Sequence, residues 1–404
     1  MKDKINNDLF VSYAKTVYGQ DEIDAVVKCL NESTQMGNYA RQFEAKIAKL
    51  FDKKHCLYVN SGSSALYIGV EAFGFKKGSE VITPALTFGT SVGCIVKNNL
   101  VPVFVDIEPN TFNIDVTKIE SMVSDKTVAI LAPNLMGNIC RWDKIREIAD
   151  KYDLIVIEDS ADTLGATYKN KSSGFYSDMS ITSFYGSHII NGAGNGGIIV
   201  TSDDQIADKC KLLRSWGRSS SLFVESEAIE NRFDIHLDGI QYDAKFVFEE
   251  PGYQLEPSEI SAAFALVQLG KLDQNMSLRN KHFRAHSNFF AQYPDFFTLP
   301  IQNPNAHTCW LAYPMVINED APFSRTDLQI FLEKRNIQTR VVFTGNILRQ
   351  PMMKNVNYVG NADDYVNADR IMKQGILLAC HHGLTDEMIE HLYSSIKIFI
   401  DSHS

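Results

Sequence analysis

Three things are scarce in this 404-residue chain, and each scarcity excludes a class of protein. Clustered cysteine is the first. The seven cysteines, Cys29, Cys56, Cys94, Cys140, Cys210, Cys309 and Cys380, are scattered and form no Cys-x-x-Cys pair. A zinc or iron–sulfur site needs thiolates close together, so these read as reduced thiols of a cytoplasmic protein, mostly small buried side chains, and no metal site is expected. Positive charge is the second: 39 Lys and Arg face 49 Asp and Glu, for a net charge of −10. No basic run interleaved with aromatics is present, which excludes a nucleic-acid surface. A phosphorylated ligand would have to be met by local cations or helix N-termini. Long apolar runs are the third. None approaches the ~18 residues needed to span a membrane, and residues 1–8 are polar, without the apolar core of a signal peptide.

What is present is a strand–helix alternation over the first two thirds of the chain. Short runs rich in Val and Ile fall at 56–59, 81–83, 101–105, 128–131, 154–157, 181–184 and 198–200. Amphipathic stretches at 64–73, 142–152 and 205–213 lie between them. This pattern predicts an α/β fold with a mostly parallel sheet between helices, and ligands beyond the C-terminal strand ends. From about 219 the pattern breaks into a polar, aperiodic excursion. Helical runs at 258–272 and 276–291 follow. Beyond about 293 a small α/β unit is expected, with strands at 311–316 and 339–343 and helices at 325–335, 362–372 and 385–399.

Three segments carry chemistry. Asn60-Ser61-Gly62-Ser63-Ser64-Ala65 follows a strand and opens a helix. It reads either as a serine-capped helix or as an anion cradle, where small residues let backbone N–H groups approach. Ile155-Val156-Ile157-Glu158-Asp159-Ser160-Ala161-Asp162 ends an apolar strand in two acids. Strand neighbours face opposite ways, so one acid can enter a site; the alternative is a solvated pair. Thr182-Ser183-Phe184-Tyr185-Gly186-Ser187-His188 offers a hydroxyl and, five residues on, an imidazole past a strand end, unless that histidine is merely surface-bound. The glycines of Gly192-Ala193-Gly194-Asn195-Gly196-Gly197 lead into a strand rather than a helix, so they read as a turn and not as a dinucleotide fingerprint. Phe88 could stack on a ring or sit in the core.

Taken together, these segments resemble the sugar-nucleotide aminotransferase and dehydrase family from about residue 19 to 399. The resemblance implies an aspartate-aminotransferase-like architecture, pyridoxal phosphate fold type I. Residues 1–255 would form a large cofactor domain with an N-terminal arm and an excursion at 219–250. Residues 256–404 would supply a linking helix and a small C-terminal domain. It implies a homodimer with shared sites. Gly62, Ser63 and Ser183 map to phosphate contacts, Phe88 to the stacking ring and Asp159 to the partner of the pyridine nitrogen. Gln254, where the family has asparagine, maps to a contact with the partner subunit's phosphate.

His188 stands where the family's aminotransferases carry the lysine that binds the cofactor covalently. Asp162 stands where they carry glutamine. Both departures match the 3-dehydrase branch, as do the segments around Arg214-Ser215-Trp216-Gly217-Arg218 and Arg340–Arg349. The nearest branch is that of CDP-4-keto-6-deoxyglucose-3-dehydrase, whose iron–sulfur cysteines have no counterpart in Ser219-Ser220-Ser221. The resemblance therefore implies a dehydratase using pyridoxamine phosphate on a nucleotide-linked 4-keto-6-deoxy sugar, as in surface-polysaccharide biosynthesis. His188 would be the proton carrier, and no iron–sulfur cluster is expected. Glutamate or a separate reductase would restore the cofactor. Arg218, Arg340 and Arg349 are candidates for the substrate's phosphates or else surface salt bridges. The rival readings are a silent binding relative and an aminotransferase that uses another lysine, such as Lys245.

Overall fold

The computed structural model describes residues 9–223 and 229–403. The residues 1–8 read for a leader, part of the expected N-terminal arm, and residues 224–228 of the excursion lie outside the described residues.

Seven strands form the main sheet: β1 (His55–Val59), β2 (Glu80–Pro84), β3 (Val101–Val105), β4 (Thr127–Pro133), β5 (Ile155–Asp159), β6 (Met179–Ser183) and β7 (Gly197–Thr201). Their order is β1-β7-β6-β5-β4-β2-β3. The five strands from β3 to β6 run parallel. β7 alone is antiparallel, to β6 on one side and β1 on the other. Its reversal comes from the glycine-rich link 184–196, which holds no crossover helix to carry the chain back to the other end. The glycine run is thus a turn between strands.

Alternate residues of the strands enter different cores. Ala129, Leu131 and Ile157 pack with the helices Gly62–Ala72 and Asp204–Arg214. Ile130, Ala132 and Val156 pack with the helix Trp142–Tyr152. Burial on both faces explains why the strands read as unbroken apolar runs. Two further helices, Gln20–Glu32 and Asn38–Phe51, precede β1.

The helix Leu272–Phe290 leads to a four-stranded antiparallel sheet of Phe297–Thr298, Tyr313–Ile317, Gly375–Leu378 and Arg340–Val341. The strand expected at 339–343 is reduced to two residues, because Phe343 takes φ +42° and turns the chain. The helix expected at 362–372 opens with a short 3-10 turn and becomes α-helical over Val366–Gln374. Among the described residues, no helix is long and apolar enough to cross a membrane.

Candidate active site

The ends of β4, β5 and β6 and the start of the helix Gly62–Ala72 enclose a cavity of about 360 Å³. Gly62, Ser63, Phe88, Asp159, Asp162, Ser183 and His188, seven of the residues singled out from the sequence, all line it.

One end is built for an anion. Ser61 caps the helix by accepting from the Ser64 N–H at 3.1 Å. The N–H groups of Gly62 and Ser63 then have no acceptor within the helix, and the helix dipole adds partial positive charge there. Gly62 is required by proximity: a Cβ on it would fall 2.7 Å from Cβ of Ser183. Serine capping and anion cradling, posed as alternatives by the sequence, coexist in one turn. On a neighbouring wall, Ser63 Oγ lies 3.3 Å from Thr90 Oγ1.

The two acids at the end of β5 separate as strand alternation requires. Glu158 turns away into a buried polar nest, accepting from Asn134 at 2.8 Å and from the hydroxyls of Ser160, Ser173 and Ser180. Asp159 faces the cavity and is 4% exposed. Its Oδ2 accepts from Ser91 Oγ at 2.7 Å and its Oδ1 from the Ala161 N–H at 3.1 Å. Burial pushes its pKa up; the two hydrogen bonds oppose that, and Glu158 adds to it. The solvated-pair reading is therefore wrong, since both carboxylates are buried. Asp162 accepts from the Met136 N–H at 2.8 Å, and burial raises its pKa to about 7.

His188 lines the same cavity. Its Nδ1 is 3.1 Å from the Ser183 carbonyl oxygen. A carbonyl can only accept, so Nδ1 carries the hydrogen and Nε2 keeps the lone pair. Burial lowers the pKa of the ring to about 4; the carbonyls of Ser183 and Ala161 oppose that shift and the Arg279 charge adds to it. The imidazole is thus neutral at neutral pH, a proton acceptor at rest.

Phe88 is not core: its ring is 56% exposed on the cavity wall, edge-on to Phe343 at 5.9 Å. The other candidates lie elsewhere. Arg218 and Gln254 line a second cavity of about 750 Å³, together with Lys245. The Arg218 guanidinium stacks on Trp216 at 4.0 Å. Arg340 stands over the ring of Tyr13, which does line the first cavity. Arg349 takes the salt-bridge alternative posed from the sequence. Asp369 and Asp363 hold its guanidinium at 2.5 and 2.9 Å, so it is a salt-bridge arginine.

Sequence reasoning overlooked Tyr13, Ser91 and Arg279. Tyr13 arrives on the N-terminal arm, fixed by its N–H to Gln338 Oε1 at 3.2 Å and by the pairing of Val11 with Ile337. No local pattern announces any of the three, since each depends on contacts distant in the chain. All seven cysteines are free and six are buried. Among the described residues, no group of three or more His, Cys, Asp or Glu is arranged to hold a metal ion.

An open mixed sheet with a cavity beyond its strand ends and a small sheet alongside is here the fold type I architecture of pyridoxal-phosphate enzymes. Residues 17–397 match the DegT/DnrJ/EryC1/StrS aminotransferase family, and the chain belongs to it. The dTDP-4-dehydro-2,6-dideoxy-D-glucose 3-dehydratase of Saccharopolyspora spinosa is 34% identical over 95% of this chain and 85% of its own length. The solved structure of Escherichia coli GDP-4-keto-6-deoxy-D-mannose-3-dehydratase with bound hydrated PLP is similar at a TM-score of 0.86. It is 30% identical over 96% of this chain and all of that one. A structure of GDP-4-keto-6-deoxymannose-3-dehydratase with a trapped PLP-glutamate geminal diamine is similar at a TM-score of 0.84, with 30% identity over 95% and 99% of the two chains.

Proposed function

We propose that this protein is a pyridoxamine-phosphate-dependent 3-dehydratase that removes the C3 hydroxyl of a nucleotide-linked 4-keto-6-deoxy sugar. The observation that carries this reading is that His188 lines the same cavity as the buried acids Asp159 and Asp162, and none of the described residues lining that cavity is a lysine. Lys245, the alternative lysine, lines the second cavity instead.

The residues fit the cofactor. The N-terminal turn at Gly62 and Ser63, with the Ser183 hydroxyl beside it, suits the phosphate. Asp159, buried and held by two donors, suits a protonated ring nitrogen, and the exposed face of Phe88 suits ring stacking. When bound, pyridoxamine phosphate supplies an amine to condense with the 4-keto group and a conjugated ring that takes up electrons. Asp159 holds the ring-nitrogen proton. His188 accepts a proton at Nε2 and returns it to the departing hydroxyl, help worth ~10²–10⁴-fold. Asp162, with a pKa of about 7, offers a carboxyl that changes charge near neutrality.

The two-domain division at residue 255 and a homodimer belong to the same proposal. In it, Arg218 and Gln254 of one subunit serve the phosphates of the partner's site, which accounts for their distance from their own subunit's His188. Arg340, beside Tyr13 at the rim, contacts the substrate. Glutamate restores the amine form in the cytoplasm; the glutamate adduct described for the similar dehydratase supports this choice.

The test is direct. Purified protein, pyridoxamine phosphate and a panel of 4-keto-6-deoxy sugar nucleotides should yield the C3-deoxygenated product by mass spectrometry, with repeated turnover only when glutamate is present. His188→Asn should lower the rate at least ~10²-fold. Full dehydration by that variant would sink the proposal.

A further inference from the structure

Arg279, on the helix Leu272–Phe290, is completely buried, yet among the described residues none of its hydrogen-bond partners is a carboxylate. Burying a cation is costly unless its donors are satisfied. Here they are spread over two walls of the active-site cavity. Nη2 donates to the carbonyls of Ser187 and His188, both at 3.3 Å. Nη1 donates to those of Trp310 and Leu311, at 3.4 and 2.9 Å. Nε donates to His382 Nδ1 at 3.2 Å. Ser187, His188 and Leu311 line the cavity; Arg279 itself does not. The chain of bonds continues on the far side. The Leu311 N–H donates to the Met136 carbonyl at 2.8 Å, and the Met136 N–H donates to Asp162 Oδ2 at 2.8 Å.

We propose that Arg279 is a positioning residue that sets the proton carrier against the acid: its guanidinium clamps the His188 loop to the Leu311 segment and, through Met136, to Asp162. The proposal rests on the dehydratase reading for its effect on turnover, but not for its effect on His188. A fork with five donors can join two loops in a way that a point charge cannot. Met136, at φ +57° and followed by Gly137 at φ +97°, turns its N–H to Asp162 and its carbonyl to Leu311 at the same time. The titratable and charged groups around His188 are Tyr185 on its own loop, Asp159 at the end of β5, Asp162 just beyond it and Tyr13 on the arm, which share its cavity, and Arg279 behind. Of these, Arg279 is the cation, and it acts on His188 and Asp162 alike.

The experiment compares Arg279→Ala and Arg279→Lys with the wild type in the holoenzyme. In Arg279→Ala, kcat should fall about 10²-fold with KM changed little, the cost of a small misplacement of a catalytic group. The His188 ring, followed by NMR, should titrate nearer its ordinary value, and guanidinium ion at millimolar concentration should restore part of the rate. Arg279→Lys should keep the low His188 titration but lose turnover, because charge remains and the fork is gone. An unchanged His188 titration in Arg279→Ala, or wild-type kcat in Arg279→Lys, would overturn the proposal. If Arg279→Ala does not fold, the Lys variant carries the test alone. If the wild type shows no dehydration at all, the His188 titration still judges the clamp while the dehydratase reading fails.

Discussion

At the scale of single residues, the site keeps two groups on unusual sides of neutrality. The His188 ring has its pKa near 4 and Asp162 near 7, both because burial penalises the charged form. Their effects on stability have opposite signs. An unfolded histidine binds its proton at about pH 6.5. Between pH 4 and 6.5 the unfolded chain therefore holds more protons at His188 than the folded one, and this contribution to stability grows as pH rises. An unfolded aspartate releases its proton at about pH 4. Between there and pH 7 the folded chain holds the extra proton at Asp162, and this contribution is lost as pH rises. The two slopes oppose each other over the same window, so in urea titrations from pH 4 to 8 His188→Asn should leave stability falling more steeply with pH than in the wild type, and Asp162→Asn should leave it rising. Parallel curves for wild type and both variants would contradict the two shifts. In the cofactor-free protein, the His188 imidazole should titrate below pH 5 by NMR.

At the scale of elements, the cavity depends on close packing of backbone where β1, β7 and the helix Gly62–Ala72 meet. A Cβ on Gly197 would fall 2.3 Å from the carbonyl of Ser61, a backbone group with no rotamer to move. Gly197→Ala should therefore push the helix start from β7 and destabilise the fold by about 1–3 kcal/mol, read as a lower urea midpoint. Gly62→Ala meets only the Ser183 side chain, at 2.7 Å, with Ser183 Cα at 3.4 Å. It should fold, but bind pyridoxamine phosphate at least ~10-fold more weakly, since the anion site itself is distorted. Equal cofactor affinity in Gly62→Ala would remove the phosphate from this turn.

At the scale of the whole molecule, the question is where Arg218 and Gln254 act, since they line a cavity separate from that of His188. If they serve a partner's site, Arg218→Ala and His188→Asn should each be inactive alone and complement when mixed. Random pairing makes half the dimers mixed, each with one intact site, so about a quarter of wild-type activity should return. No recovery after mixing would place both residues in one subunit's site or show that the chain acts as a monomer.

The strand–helix alternation, the serine cap before Gly62, the paired acids at the end of β5 and the histidine after β6 were all legible in the sequence. Each is a local matter of side-chain period, cap chemistry and the end of an apolar run. What stayed hidden depends on contacts across the chain. Strand alternation says that Glu158 and Asp159 diverge, but only the packed serines around Glu158 decide which one faces the cavity. Arginine is the same residue at 279, 218 and 349, yet the fold makes one a buried clamp, one a wall of a second cavity and one a salt bridge to two aspartates. The sequence by itself determined which polar residues stand at strand ends and at the helix start, because those positions follow from short-range periodicity. Tertiary structure alone decided which of them share a cavity and with what proton affinity, because desolvation and long-range hydrogen bonds exist only once distant segments meet.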